Sequence, residues 1–212
     1  MNKTRFNSLT AGFGLAIAFT LLCLAATAFA QTPITDPRDG KAYKTAKIGE
    51  QVWLAENLNY NAEGSKCFNL KPEYCEKYGR LYNWDMAIKS CPSGWHLPSK
   101  GEYEALDKAV GGKDVAARKL KAKSGWFKDG NGTDDYGFSA LPGGDLGGVC
   151  PPGGAFSGEG FTGTWWSIGE DNSSAYYRYI TCNDEVVFGL TSEKSYMHSV
   201  RCVKDKPQGG TK

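Results

Sequence analysis

The sequence predicts an α+β fold, a single domain in which helices lie against an antiparallel sheet, and three stretches carry that expectation. Ser99 is followed three residues later by Glu102, the reciprocal capping box that closes the free N–H groups of a helix start. From Thr162 to Val203, short alternating segments are separated by turn residues, as in an antiparallel meander. Between them, from Trp126 to Gly163, the chain is rich in Gly, Pro, Asn, Asp and Ser and reads as a long loop that Trp126, Tyr136, Phe138, Leu141, Phe156 and Phe161 tie down.

The chain opens with a targeting pattern. Lys3 and Arg5 precede an apolar run from Ala11 to Leu24, and Ala28-Phe29-Ala30 is a small-x-small cleavage site. Residues 1–30 are therefore expected to be a signal peptide, with no transmembrane anchor after its removal. Cleavage after Ala30 leaves 182 of the 212 residues, the size of one domain, 31–212 with its core at about 36–205. Two of the 25 basic residues, Lys3 and Arg5, lie in the leader, which leaves 23 against 23 acidic ones and argues against nucleic acid as a partner.

Lys41 to Ile48 and Gln51 to Ala55, turning at Gly49-Glu50, read as a hairpin, with Tyr43, Val52 and Leu54 or Trp53 available to a core. Leu81, Trp84 and Ile88 recur at helical intervals and predict a short buried helix within Gly79–Ile88. The central helix runs from about Lys100 to Val110 and stops at Gly111-Gly112. A second follows from Val115 to Lys121 with Asp114 as its cap, its basic residues Arg118, Lys119, Lys121 and Lys123 forming a solvated face. Strands are expected at Thr162–Ile168, Ala175–Thr181, Glu185–Leu190 and His198–Val203.

Seven cysteines, of which Cys23 lies in the leader, leave an even set of six: Cys67, Cys75, Cys91, Cys150, Cys182 and Cys202. In an exported chain this reads as a disulfide framework, for which sequence alone permits fifteen connectivities. A zinc site is disfavoured, because no Cys-x-x-Cys spacing occurs and the histidines are His96 and His198 alone.

Several ordered motifs resemble one family. They are Asp36-Pro-Arg-Asp-Gly-Lys-Ala-Tyr43, Ile48-Gly-Glu-Gln-Val-Trp53, Glu56-Asn-Leu-Asn-Tyr60, Gly79-Arg-Leu-Tyr-Asn-Trp84, Cys91 to Leu97, Tyr136-Gly-Phe-Ser-Ala-Leu-Pro-Gly-Gly144, and Ser199 to Asp205. Together they resemble the Fibrobacter succinogenes major paralogous domain, a family of secreted bacterial domains. The resemblance implies a C-type lectin-like fold, in which two helices flank a twisted antiparallel sheet with a long glycine-rich loop region and the chain ends come together. Proximity and this likeness narrow the bridges to Cys67–Cys75, Cys91–Cys202 and, by remainder, Cys150–Cys182.

The Gly94–Glu104 segment is also similar to formylglycine-generating oxidases, but the closely spaced cysteine pair of those enzymes is absent. Calcium-dependent lectin motifs, Glu-Pro-Asn, Gln-Pro-Asp or Trp-Asn-Asp, are absent too. So are the Gly-x-Ser-x-Gly elbow and the His-Glu-x-x-His helix, and no enzyme activity is expected. Asp129, Asn131, Thr133 and Asp135 space oxygen ligands at alternate residues, a candidate calcium loop that ordinary turn chemistry would also produce. No other cofactor is expected.

What remains is a recognition or adhesion domain, secreted, periplasmic or at the bacterial cell surface, that binds a polysaccharide or surface protein. Its candidate contacts are Trp165, Trp166, Tyr176, Tyr177, Arg178 and Phe188, aromatic and cationic side chains on neighbouring strands. The alternative is a structural scaffold domain of the envelope whose aromatics are all core.

Overall fold

The computed structural model describes residues 31–147 and 155–206; the expected signal peptide and Cys150 lie outside them. Among the described residues, two sheets and four α-helices make a mixed α and β architecture dominated by sheet. The first sheet gathers the first and last described strands in the order β1 (Gln31–Thr35), β2 (Ala42–Ile48), β3 (Gln51–Leu54), β12 (Val203–Lys204) and β5 (Trp95–His96). Turning at Gly49, the β2–β3 hairpin forms as expected; it buries Tyr43 and Leu54 in one cluster and Trp53 in another, while Val52 is only half-buried.

In the second sheet the path is β10 (Phe188–Glu193), β9 (Ser174–Thr181), β8 (Thr162–Asp171), β11 (His198–Ser199) and β4 (Leu81–Tyr82). A hairpin of β6 (Gly143–Leu146) and β7 (Phe156–Glu159) joins it, where the sequence suggested only loop. Only β8, β9 and β10 form the expected meander: β11 lies parallel to β8, and β12 crosses into the other sheet.

Among the helices, α1 (Pro72–Tyr78) was not anticipated; Pro72 starts it at a position where the lost N–H is no loss. Helix α2 (Trp84–Ser90) is shorter than its spacing suggested, because Asn83 accepts a hydrogen bond from the Met86 N–H and caps it there. Leu81 therefore sits in β4, and Ile88 is exposed. The capping box of α3 (Lys100–Ala109) is present with both of its hydrogen bonds. Helix α4 (Lys113–Leu120) begins after Gly112 rather than at Asp114.

Strand β8 divides the interior. Trp165 packs with Trp53, Leu106, Trp126 and Phe138 on one side, and Trp166 with Leu54, Tyr82, Trp84 and Leu97 on the other. Each side chain follows the alternation of a strand, yet both faces are covered, one by α3, α4 and first-sheet residues such as Trp53, the other by α2 and first-sheet residues such as Leu54.

Two disulfides are formed, Cys67–Cys75 and Cys91–Cys202. The third expected bridge, Cys150–Cys182, falls on Cys150, outside the described residues; among them Cys182 carries a buried free thiol. Strand β6 pairs in parallel with β8 at Gly144–Gly163, and the Cys182 N–H donates to the Phe161 carbonyl just before β8. By Gly147 the chain is packed on the Tyr196 ring.

Candidate functional site

Between α3 and the β9–β10 hairpin lies an open groove of about 760 Å³. One side comes from α3 and the turn after it, with Lys100, Tyr103, Glu104, Asp107 and Lys108 followed by Gly111 to Lys113; the other is β9 and β10. The capping box fixes where α3 begins, so the residues one turn apart, Tyr103 and Asp107, meet the sheet in a defined register.

The floor is an ion pair. Arg178 Nη1 and Nη2 donate to Asp107 Oδ2 and Oδ1 at 3.1 and 2.5 Å, and the two side chains are only 4 % and 16 % exposed. The guanidinium lies 5.0 Å from the centre of the Tyr103 ring, while its buried Nε has no partner among the described residues. Burial pushes the Tyr103 phenol well above its ordinary range, so it is a neutral wall. Such a pair is costly to desolvate and rigid once formed, which sets the shape of the floor more than it adds stability.

Around the rim, Lys100 sits 3.9 Å from Glu104 and faces the Tyr176 ring. Lys108 and Lys113 are exposed, and no ion pair engages them among the described residues. The rim is therefore net positive. Gly189 pairs with Arg178 across the ladder and shares its face; a Cβ placed there would meet nothing within 4 Å.

Of the six expected contacts, Tyr176, Tyr177, Arg178 and Phe188 line this groove. Tyr176 and Phe188 are exposed at 37 % and 39 %, but Phe188 pairs with Tyr179 and so touches the groove only from the opposite face of the sheet. Tyr177 belongs to the opposite face of β9, stacked 4.5 Å from His198 and edge-on to Trp166, so it reaches the groove only at its margin. Trp165 and Trp166 do not contribute: at 1 % and 0 % exposure both are core, because β8 is an inner strand with a layer on each side. Tyr103, Asp107, Lys108 and Gly189 were missed by sequence reasoning. For Asp107 the only signal was its place one turn after Tyr103; Gly189 gave none.

Elsewhere, His198 Nδ1 lies 3.0 Å from Thr164 Oγ1, and desolvation alone pushes the imidazole down to about 3, so it is neutral. The Ser167 hydroxyl donates to the Pro98 carbonyl at 2.9 Å. Neither makes a nucleophile–base pair with the other.

In the candidate calcium loop several groups bond within the protein. Asn131 Oδ1 accepts the Trp126 N–H at 3.0 Å, Thr133 Oγ1 donates to the Arg118 carbonyl, and the Asp135 N–H bonds Lys119. Asp134, which was not among the expected ligands, caps Ser139 with both carboxylate oxygens. Among the described residues no three His, Cys, Asp or Glu side chains gather as a metal group. Nearby Lys121 is also not solvated: at 4 % exposure its ammonium donates to the carbonyls of Thr181, Cys182 and Asp184, and desolvation lowers its pKa.

A family model described as the Fibrobacter succinogenes major domain matches residues 46–204. No curated protein and no solved structure matches the chain.

Proposed function

The chain belongs to the Fibrobacter succinogenes major domain family, and from that premise we propose an exported, non-enzymatic recognition domain that binds a polysaccharide or surface protein in the groove between α3 and β9–β10. The observation that carries the reading is the convergence, in one concave site, of Tyr103 and Tyr176 with a fixed buried cation and a lysine rim, Phe188 reaching it at the margin. Aromatic faces beside a few fixed polar groups are the usual composition of a ligand groove. Two disulfides support the export part of the proposal, and no helix among the described residues is long and apolar enough to cross a membrane. A C-type lectin-like fold is part of the same proposal, supported by the first sheet, where the N-terminal and C-terminal strands lie together.

Burial of both tryptophans favours a second reading, a scaffold domain of the envelope. One substitution separates the two. Gly189→Trp fills the groove from an open position on an unstrained strand, so the melting temperature should stay within about 2 °C of wild type. Retention on insoluble polysaccharides and envelope fractions should fall by about tenfold or more. Unchanged retention with an unchanged melting temperature leaves the scaffold reading standing.

A further inference from the structure

Strand β10 is the last strand of its sheet, and among the described residues nothing pairs with its outer side. All six of its residues pair in unbroken register with β9. The hydrogen-bond phase follows from the two ends of that ladder. The Cys182 N–H donates to Phe161 on the β8 side of β9, and the Lys194 N–H donates to Ser173 on the β10 side. Alternation along an antiparallel pair then turns the even-numbered backbone groups of β10 toward β9 and leaves those of Gly189 and Thr191 on the open edge.

Edge strands ordinarily carry a lysine, a proline or a bulge that discourages pairing. Strand β10, Phe188–Glu193, has none of these and is charged only at its last residue, Glu193, while Phe188 and Leu190 are 39 % and 46 % exposed. Beneath the same edge is the groove, reached on the face that Gly189 shares with Arg178.

We propose that the edge of β10 and the groove below it form a strand-addition site for an extended, acidic segment of a partner protein. This rests on the groove reading and chooses the protein class within it. An added strand satisfies the outward N–H and C=O groups of Gly189 and Thr191 and sends alternate side chains to opposite faces. One set packs beside Phe188 and Leu190 and is apolar; the other enters the groove, where the unpaired ammonium groups of Lys108 and Lys113 select carboxylates.

The probe is a random dodecapeptide library displayed on phage, selected on residues 31–212 and counter-selected on Gly189→Trp. Enriched peptides should alternate acidic and apolar residues, and a synthetic copy should slow hydrogen exchange at the Gly189 and Thr191 amides by about tenfold or more. Lys108→Ala with Lys113→Ala should weaken that peptide and flatten its salt dependence. No enrichment, or enriched peptides that leave both amides unprotected, overturns strand addition. If oligosaccharides then bind wild type but not Gly189→Trp, the groove reading survives with a sugar ligand; if neither class responds to Gly189→Trp, the groove reading falls as well.

Discussion

Asn57 is the polar hinge of the core. Its Oδ1 accepts from Trp165 Nε1 at 2.8 Å and from Arg201 Nε and Nη2 at 3.1 and 2.6 Å, while its Nδ2 donates to the Tyr78 carbonyl at 2.8 Å. Arg201 is fully buried and, among the described residues, has no ion-pair partner; it also donates to the carbonyls of Leu54 and Phe138, and burial lowers its pKa to about 10. Asn57→Ala strands a buried cation and an indole N–H together, so urea unfolding should show a loss of about 3–5 kcal/mol. A loss under about 1 kcal/mol would mean that water replaces the amide. His96 offers a pH test. Its Nδ1 lies 2.6 Å from Asp205 and its Nε2 2.9 Å from Glu102. Burial pushes the imidazole down, but the two carboxylates outweigh it and hold its pKa above the usual value. Glu102 is pushed up by burial and held below its usual value by Ser99 and His96. The histidine contribution is therefore complete below its unfolded pKa of about 6.5 and fades as pH rises through the folded value; the Glu102 contribution fades in acid. The melting difference between wild type and His96→Gln should be largest near pH 5.5 and shrink toward pH 9 on this linkage, to about the level left by lost packing alone. A difference that grows with pH would contradict the pairing of His96 with the two carboxylates.

Among the elements, the disulfides differ in reach. Cys91–Cys202 closes a separation of 111 residues and Cys67–Cys75 one of 8. In the chain-entropy account, removing the first pair by double alanine substitution should cost about 5 kcal/mol and removing the second about half that. Non-reducing peptide mapping should recover both bridges, with Cys182 alkylated only after unfolding. Trp165→Ala and Trp166→Ala should each cost about 3–5 kcal/mol in denaturant titrations, since each leaves a cavity on its own side of β8. These elements also show what the sequence made legible. The α3 capping box and the β2–β3 hairpin are written within a few neighbouring residues, and both were readable. Leu81, Trp84 and Ile88 fit one helical face, but a cap at Asn83 overrode three residues of periodicity. Alternation correctly put Trp165 and Trp166 on opposite faces; that both faces are covered depends on helices and strands distant in sequence. The β6–β7 hairpin hid behind Gly143-Gly144, where Gly144 has φ +65° and the Phe68 ring leaves no space for a Cβ.

At the scale of the whole molecule, the groove is a product of topology. Its two sides are separated by more than 60 residues in the chain, as the Arg178–Asp107 pair at 71 shows, so no local pattern could have drawn it. The sequence supplied Tyr176, Arg178 and Phe188; packing supplied Tyr103, Asp107, Lys108 and the open position at Gly189. The first sheet carries a different consequence. Val203 pairs with both Trp53 and His96, inserting the end of the described chain between strands made about 150 and 107 residues earlier. A nascent chain that has reached β10 still lacks the strand that joins β3 to β5, and Trp53 and Leu54 wait without their cover. Folding is thus postponed until the last strand is available, and pairings of such long separation form slowly. A chain interrupted before Val200 should remain open to proteases along its entire length, however complete its second half.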